Sequence, residues 1–223
     1  MRETAETGTA RTDTAAGTDV AVESAEATEA MEAARAGALE AGGEDEAWPV
    51  AAGTTSLSVA LPALDRLVAP WRRAWDTAAR HGGTAHVTVL FPFLHRERVD
   101  DGVRAALAEE FAAHPPFELR FAGCARFPGV LWLRPEPDGP LRALTAAVTA
   151  RWPEQAPYGG LFGDLDPHVT VANSGSAAQH DLIEAALAPA LPLTERVTAV
   201  DLVVFDGRRW RRRTRFPLGR VDG

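Results

Sequence analysis

The tetrapeptide His-Val-Thr-Val occurs twice, at 86–89 and at 168–171, and this repetition constrains the chain more than any other feature. Composition alone predicts roughly 0.003 copies, so two copies call for a common cause. Their surroundings repeat as well. Each copy lies between two helical patterns and precedes a hairpin signal, Pro128-Gly129 in the first half and Asp206-Gly207 in the second. The hairpin glycine follows the motif histidine by 43 residues in one half and by 39 in the other. A period of about 80 residues is too long for a solenoid. The pattern predicts an internal duplication whose lobes, roughly 54–135 and 139–218, intertwine and face each other.

Local patterns supply the elements. An alternating run from Ser56 to Leu61 predicts the first strand. Residues 62–80 predict a helix, bent or split at Pro70, because an interior proline removes a backbone donor. A strand at 85–91 and a helix at 97–113 follow, the latter ended by His114-Pro115-Pro116. Strands are expected at 117–127 and 130–134, a helix at 139–152, a strand at 168–172 and a helix at 176–188. Two last strands, 197–205 and 208–216, flank Asp206-Gly207. Both halves therefore run helix, strand, helix, hairpin.

Residues 1–47 stand apart. They hold nine Glu and three Asp against three Arg, and no aromatic residue. Such a segment buries too little apolar surface to offset its ordering entropy, so an acidic disordered tail is expected there. A single domain is expected over 48–223. No apolar run is long enough for a membrane helix, and the first residues lack a signal-peptide core. With Cys124 the one cysteine, these features lead us to expect a cytoplasmic protein.

The motif spacing carries chemical meaning. Strand side chains alternate, so His86 and Thr88 share one face while Val87 and Val89 turn to the other; His168 and Thr170 do the same. Two lobes related by a pseudo-twofold axis would bring both pairs to one groove. Two imidazoles and two hydroxyls around one small volume suit phosphoryl transfer without a metal. One neutral imidazole takes a proton, one imidazolium gives a proton, and the hydroxyls hold non-bridging oxygens. No Walker loop, Cys-x-x-Cys or His-Glu-x-x-His motif competes with that reading.

These residues resemble the 2H phosphoesterase superfamily, which includes the 2′-5′ RNA ligase and cyclic phosphodiesterase enzymes and is defined by two His-x-Thr/Ser-x motifs. The stretches Ala85 to Phe93, Arg126 to Leu133 and Pro157 to Phe162 look like its bacterial branch. The resemblance spans about residues 54–218. It implies a bilobal α+β fold with mainly antiparallel sheets around a central groove, catalytic His86 and His168, and phosphate-binding Thr88 and Thr170. It also implies no cofactor and no metal, with His168 as base and His86 as acid. The expected substrate is a cyclic or 2′-5′ phosphodiester in RNA ends or a small nucleotide. The expected partners are that nucleotide or RNA end and no membrane, with the protein a monomer. The alternatives are a cyclic dinucleotide, a 2′-5′ oligonucleotide or a phosphorylated metabolite as substrate, or a non-catalytic nucleotide- or RNA-binding module. Several RNA-processing members carry an Arg five residues after the second motif His; here that position is Asn173.

Further candidates lie outside the motifs. The Pro- and Gly-rich loop 153–167 leads into the second motif, and its Tyr158 and Phe162 either stack on a substrate ring or pin the loop to the core. Arg126 either reaches a phosphate or sits on a solvated sheet face, the latter being favoured. By alternation Phe91 and Phe93 point away from the His face, into the core. Arg209, Arg211, Arg213 and Arg215 should share one face, as a charged edge strand rather than a nucleic-acid contact. His81, His95, His114 and His180 are expected on the surface or in loops, and Cys124 as a structural thiol.

Overall fold

A computed structural model describes residues 50–160 and 166–219. The acidic segment 1–47 and Phe162 lie outside the described residues. Among the described residues, eight strands form two four-stranded sheets in which every pairing is antiparallel. They are β1 (Thr55–Ala60), β2 (His86–Leu90), β3 (Phe117–Phe127), β4 (Val130–Glu136), β5 (Val169–Ala172), β6 (Leu193–Val197), β7 (Ala199–Phe205) and β8 (Trp210–Pro217). The helices are α1 (Pro62–Trp75), α2 (Thr77–Arg80), α3 (Asp101–Ala112), α4 (Gly139–Arg151) and α5 (Ala177–Leu187).

The strand orders are β2-β1-β7-β8 and β5-β4-β3-β6. Each sheet therefore takes two strands from each half of the chain. Both motif strands, β2 and β5, are edge strands. The helices cross over too: α1 of the first half packs on β5, and α4 of the second half packs on β2. One continuous core results, running from Leu57 and Val59 through Leu107, Phe121, Leu133 and Leu144 to Val169 and Phe216.

Sequence logic explains most boundaries. On β1, Thr55, Leu57 and Val59 face the core, which leaves Ser56, Ser58 and Ala60 for the opposite face. Helix α1 starts with Pro62, and Leu61 offers no side-chain cap. The buried Glu195 of β6 supplies one instead, accepting from the N–H groups of Ala63 and Leu64 at 2.9 and 3.0 Å. The Asp100 side chain caps α3, and Ser176 with Gln179 forms a capping box on α5.

Four expectations need correction. Helix α1 continues through Pro70 and breaks instead at Asp76, whose extended backbone (φ −124°, ψ 114°) ends it while the carboxylate caps α2. Helix α3 starts at Asp101, after a short 3₁₀ turn at Arg96–Arg98. The segment before β7 forms a separate strand, β6, which pairs with β3 while β7 pairs with β1. On β8 the register jumps, with Thr214 opposite Leu202 but Arg212 opposite Val203. Arg213 is the extra residue, so Arg215 shares a face with Arg212 rather than with Arg211. On that face Arg215 pairs with the buried Asp201 at 2.8 and 2.9 Å.

Candidate active site

Both motif strands carry a β-bulge at the same place. Ser58 pairs with Thr88 and Leu57 with Leu90, leaving Val89 unpaired; Trp132 pairs with Thr170 and Leu131 with Ala172, leaving Val171 unpaired. Before the bulge, alternation holds: Val87 and Val169 are fully buried, and the histidines and threonines are half-buried on the other face. After it the parity inverts. The residue five positions beyond each histidine, Phe91 or Asn173, therefore turns toward the histidine face. This corrects the expectation for Phe91, whose ring lines the cleft; Phe93, beyond the end of β2, is in the core as expected, though not through strand alternation.

His86, Thr88, His168 and Thr170 line one pocket of about 110 Å³, with Arg72, Asp76, Asn173 and Tyr158 around them. The two half-chains thus meet at a single small volume. Each ring is held in the same way. Nδ1 of His86 lies 2.7 Å from the Thr84 carbonyl, and Nδ1 of His168 lies 2.8 Å from the Asp166 carbonyl. A carbonyl only accepts, so Nδ1 carries the hydrogen and Nε2 is left as the basic nitrogen.

Burial lowers the pKa of both rings below the ordinary histidine value. At His86 the Arg72 guanidinium lowers it further, while the Thr84 carbonyl and Asp76 oppose the shift. At His168 the Asp166 carbonyl and carboxylate oppose it. His168 also packs edge-on against Phe127 and Trp132, with centroids 5.4 and 6.0 Å away.

Beneath the pocket lies a charged network that the sequence did not single out. Arg72 is 2% exposed; its Nε and Nη2 donate to Asp76 Oδ2 at 3.0 and 2.7 Å, and Nη1 donates to the Gly83 carbonyl at 3.2 Å. Asp65 lies 3.6 Å from Arg72 and accepts from the N–H of Ala85, the residue before the first motif. The one signal available in the sequence was the i, i+4 spacing of Arg72 and Asp76 near a helix end, which more often marks a solvated pair.

Tyr158 reaches the pocket. It adopts a left-handed backbone (φ 52°), its N–H donates to the Phe91 carbonyl at 2.5 Å, and its ring lies 6.0 Å from that of Phe91. Burial raises the pKa of its hydroxyl, and a hydrogen bond with Thr88 opposes the shift. Arg126 does not line the pocket: Asp181 and Glu184 of α5 hold its guanidinium at 2.7 Å each. His180 is buried rather than on the surface, its Nε2 lying 2.9 Å from the Ser174 carbonyl. The Cys124 thiol is pushed up to about 12, chiefly by burial, and stays protonated at neutral pH. Among the described residues no group of three His, Cys, Asp or Glu is placed to hold a metal ion, and no helix is long and apolar enough to cross a membrane.

The model of the 2′-5′ RNA ligase superfamily matches residues 60–209. Among solved structures, TT0787 of Thermus thermophilus is similar at 22% identity and a TM-score of 0.52, covering 75% of this chain and 99% of that one. LigT of E. coli complexed with 3′-AMP is similar at 19% identity and a TM-score of 0.48, covering 75% and 99%. LigT complexed with NADP+ gives 21% identity and a TM-score of 0.47, covering 77% and 100%. No curated protein matches the chain.

Proposed function

The chain belongs to the 2′-5′ RNA ligase superfamily, and from that premise we propose that it is a metal-independent phosphoesterase acting on a cyclic or 2′-5′ phosphodiester through His86 and His168. The observation that carries this reading is the shared pocket, in which two imidazoles with tethered Nδ1 and two hydroxyls surround space for one phosphate.

In hydrolysis, neutral His168 takes a proton from water on Nε2 as the water oxygen bonds to phosphorus. The bond from phosphorus to the leaving ribose oxygen breaks, and Nε2–H of His86 protonates that oxygen. Thr88 and Thr170 donate hydrogen bonds to the non-bridging oxygens. The Arg72 charge disfavours an imidazolium at His86, and the anionic diester offsets that effect when it binds. With an alcohol in place of water, the same steps join a cyclic phosphate to that alcohol, His168 taking the hydroxyl proton and His86 protonating the ribose oxygen that leaves.

Small nucleotides fit better than long RNA. Asn173, in place of a charged arginine, spends its amide on Asp76 and on the backbone of Thr77. The test is turnover of a panel containing 2′,3′-cyclic nucleotides, 2′-5′ dinucleotides and RNA with a cyclic phosphate end. His86→Ala and His168→Ala should each lose roughly 10²–10⁴-fold in kcat with unchanged melting temperature. Full activity in either variant would overturn the reading.

A further inference from the structure

The two sheets set different neighbours beside their motif histidines. On β1, Ala60 stands directly across from His86 and offers only a methyl group. On β4, Trp132 pairs with Thr170 and Leu133 with Val169. The same register carried one residue further sets Arg134 across from His168, on the same face. Residues opposed in this way have Cβ atoms about 5 Å apart, so the Arg134 side chain starts beside that of His168.

The guanidinium is held in place by a ring. Its Cζ lies 5.2 Å from the centre of Trp132, a cation–π contact. Trp132 is itself 2% exposed, stacks on Phe127 at 4.7 Å, and meets the His168 ring edge-on at 6.0 Å. Arg134 therefore rests on a rigid aromatic shelf that also packs against the motif histidine. The β3 side of this shelf is open. Between the pairs Phe121–Pro135 and Cys124–Leu133, Ala122 and Gly123 together oppose Arg134, a bulge with no side chain larger than a methyl. A Cβ added to Gly123 would meet no atom within 4 Å. Carboxylates engage Arg72 and Arg142, through Asp76 in one case and Asp138 and Asp166 in the other. Among the described residues no hydrogen bond or ion pair engages Arg134, and Glu136, two residues along the same face, stands opposite Arg120.

We propose that Arg134 binds a second phosphate of the substrate, carried by the nucleoside on the His168 side of the reacting phosphorus. A guanidinium stacked on an aromatic ring keeps its in-plane donors free for two phosphate oxygens and is already ordered when the anion arrives. Its position decides which part of the substrate it reads. His168 faces the alcohol oxygen in the reaction proposed above, so a cation across from His168 meets whatever that alcohol carries. Ala60 offers nothing equivalent on the His86 side. The preferred alcohol is thus a 5′-hydroxyl nucleoside that bears its own 3′-phosphate, as at the 5′ end of a short RNA strand. The proposal rests on the phosphoesterase reading for the place of the reacting phosphorus, while the phosphate site itself follows from the β4 register and the aromatic shelf.

The test compares two 2′-5′ diesters on the full chain: adenylyl-(2′-5′)-adenosine, and the same dinucleotide with a phosphate on the 3′ oxygen of its second adenosine. Cleavage is the joining step reversed. The 3′-hydroxyl beside the linkage gives its proton to His86 as its oxygen bonds to phosphorus, and the bond to the 5′ oxygen breaks as His168 protonates that oxygen. The added phosphate should raise kcat/KM on the order of tenfold in wild type. Arg134→Gln should erase that difference and Arg134→Glu should invert it, both with unchanged melting temperature. Equal rates in wild type would overturn the proposal, as would an advantage that survives in the folded Gln variant. If wild type cleaves neither diester, the phosphoesterase reading fails, and calorimetry with the same two ligands tests the phosphate site alone. Tighter binding of the phosphorylated ligand by wild type but not by Arg134→Gln would support the site; equal binding, or binding of neither ligand, would overturn it.

Discussion

The side-chain amide of Asn173 donates to the Asp76 carboxylate across 3.2 Å, joining the end of the second motif strand to the charged floor beneath the first motif histidine. The Asn173 N–H adds a 2.8 Å bond to the Trp75 carbonyl, so β5 is stitched to the junction of α1 and α2. Replacing this amide by Ala should cost about 1 kcal/mol in denaturant unfolding. Asn173→Asp should cost more, since it sets a second carboxylate against the buried Asp76. A stable Asp variant at neutral pH would contradict the network.

Arg72 and Asp76 are 2% and 1% exposed, so neither charge can be solvated once its partner is lost. Arg72→Met should destabilise the fold by about 3–5 kcal/mol, and Arg72→Met with Asp76→Leu should recover much of that loss. Chemical denaturation of the two single variants and the double variant checks this. Additive losses would mean the pair acts independently.

In the proposed reaction the threonines hold the phosphate oxygens without moving protons. Thr88→Val and Thr170→Val should lower kcat/KM by roughly 10–100-fold, within the range of a hydrogen bond to a charged group. Chelator should leave wild-type turnover unchanged. Steady-state kinetics with and without chelator measures both expectations.

The pH profile follows from the ring environments. A histidine whose pKa is lowered sheds its proton at a lower pH, so the free enzyme holds one neutral and one protonated ring only below the usual histidine value of 6.5. The bell of kcat/KM should therefore have both limbs below that value. Asp166→Asn removes a carboxylate that favours the protonated His168. With His168 as base, the acidic limb should move to lower pH. Movement of the alkaline limb instead would reverse the two roles.

The site was legible in part because strand alternation is a local rule. His86 with Thr88, and His168 with Thr170, could be assigned to one face from four letters. Phe91 could not, because the bulge at Val89 arises from how β2 pairs with β1, about thirty residues earlier in the chain. Arg215 was misassigned for the same reason, through the extra residue at Arg213 in the pairing of β8 with β7. Arg72 was not singled out, because the Gly83 carbonyl and the pocket residues around it come from other segments.

By itself the sequence determined the order of helices and strands, the duplication, and the two His-x-Thr faces, since propensity and alternation act between near neighbours. Only the tertiary structure decided which sheet each strand joins, which helix packs on each motif strand, and that Arg134 stands across from His168 where Ala60 stands across from His86. Those outcomes depend on register and on contacts between distant segments, which no local pattern encodes.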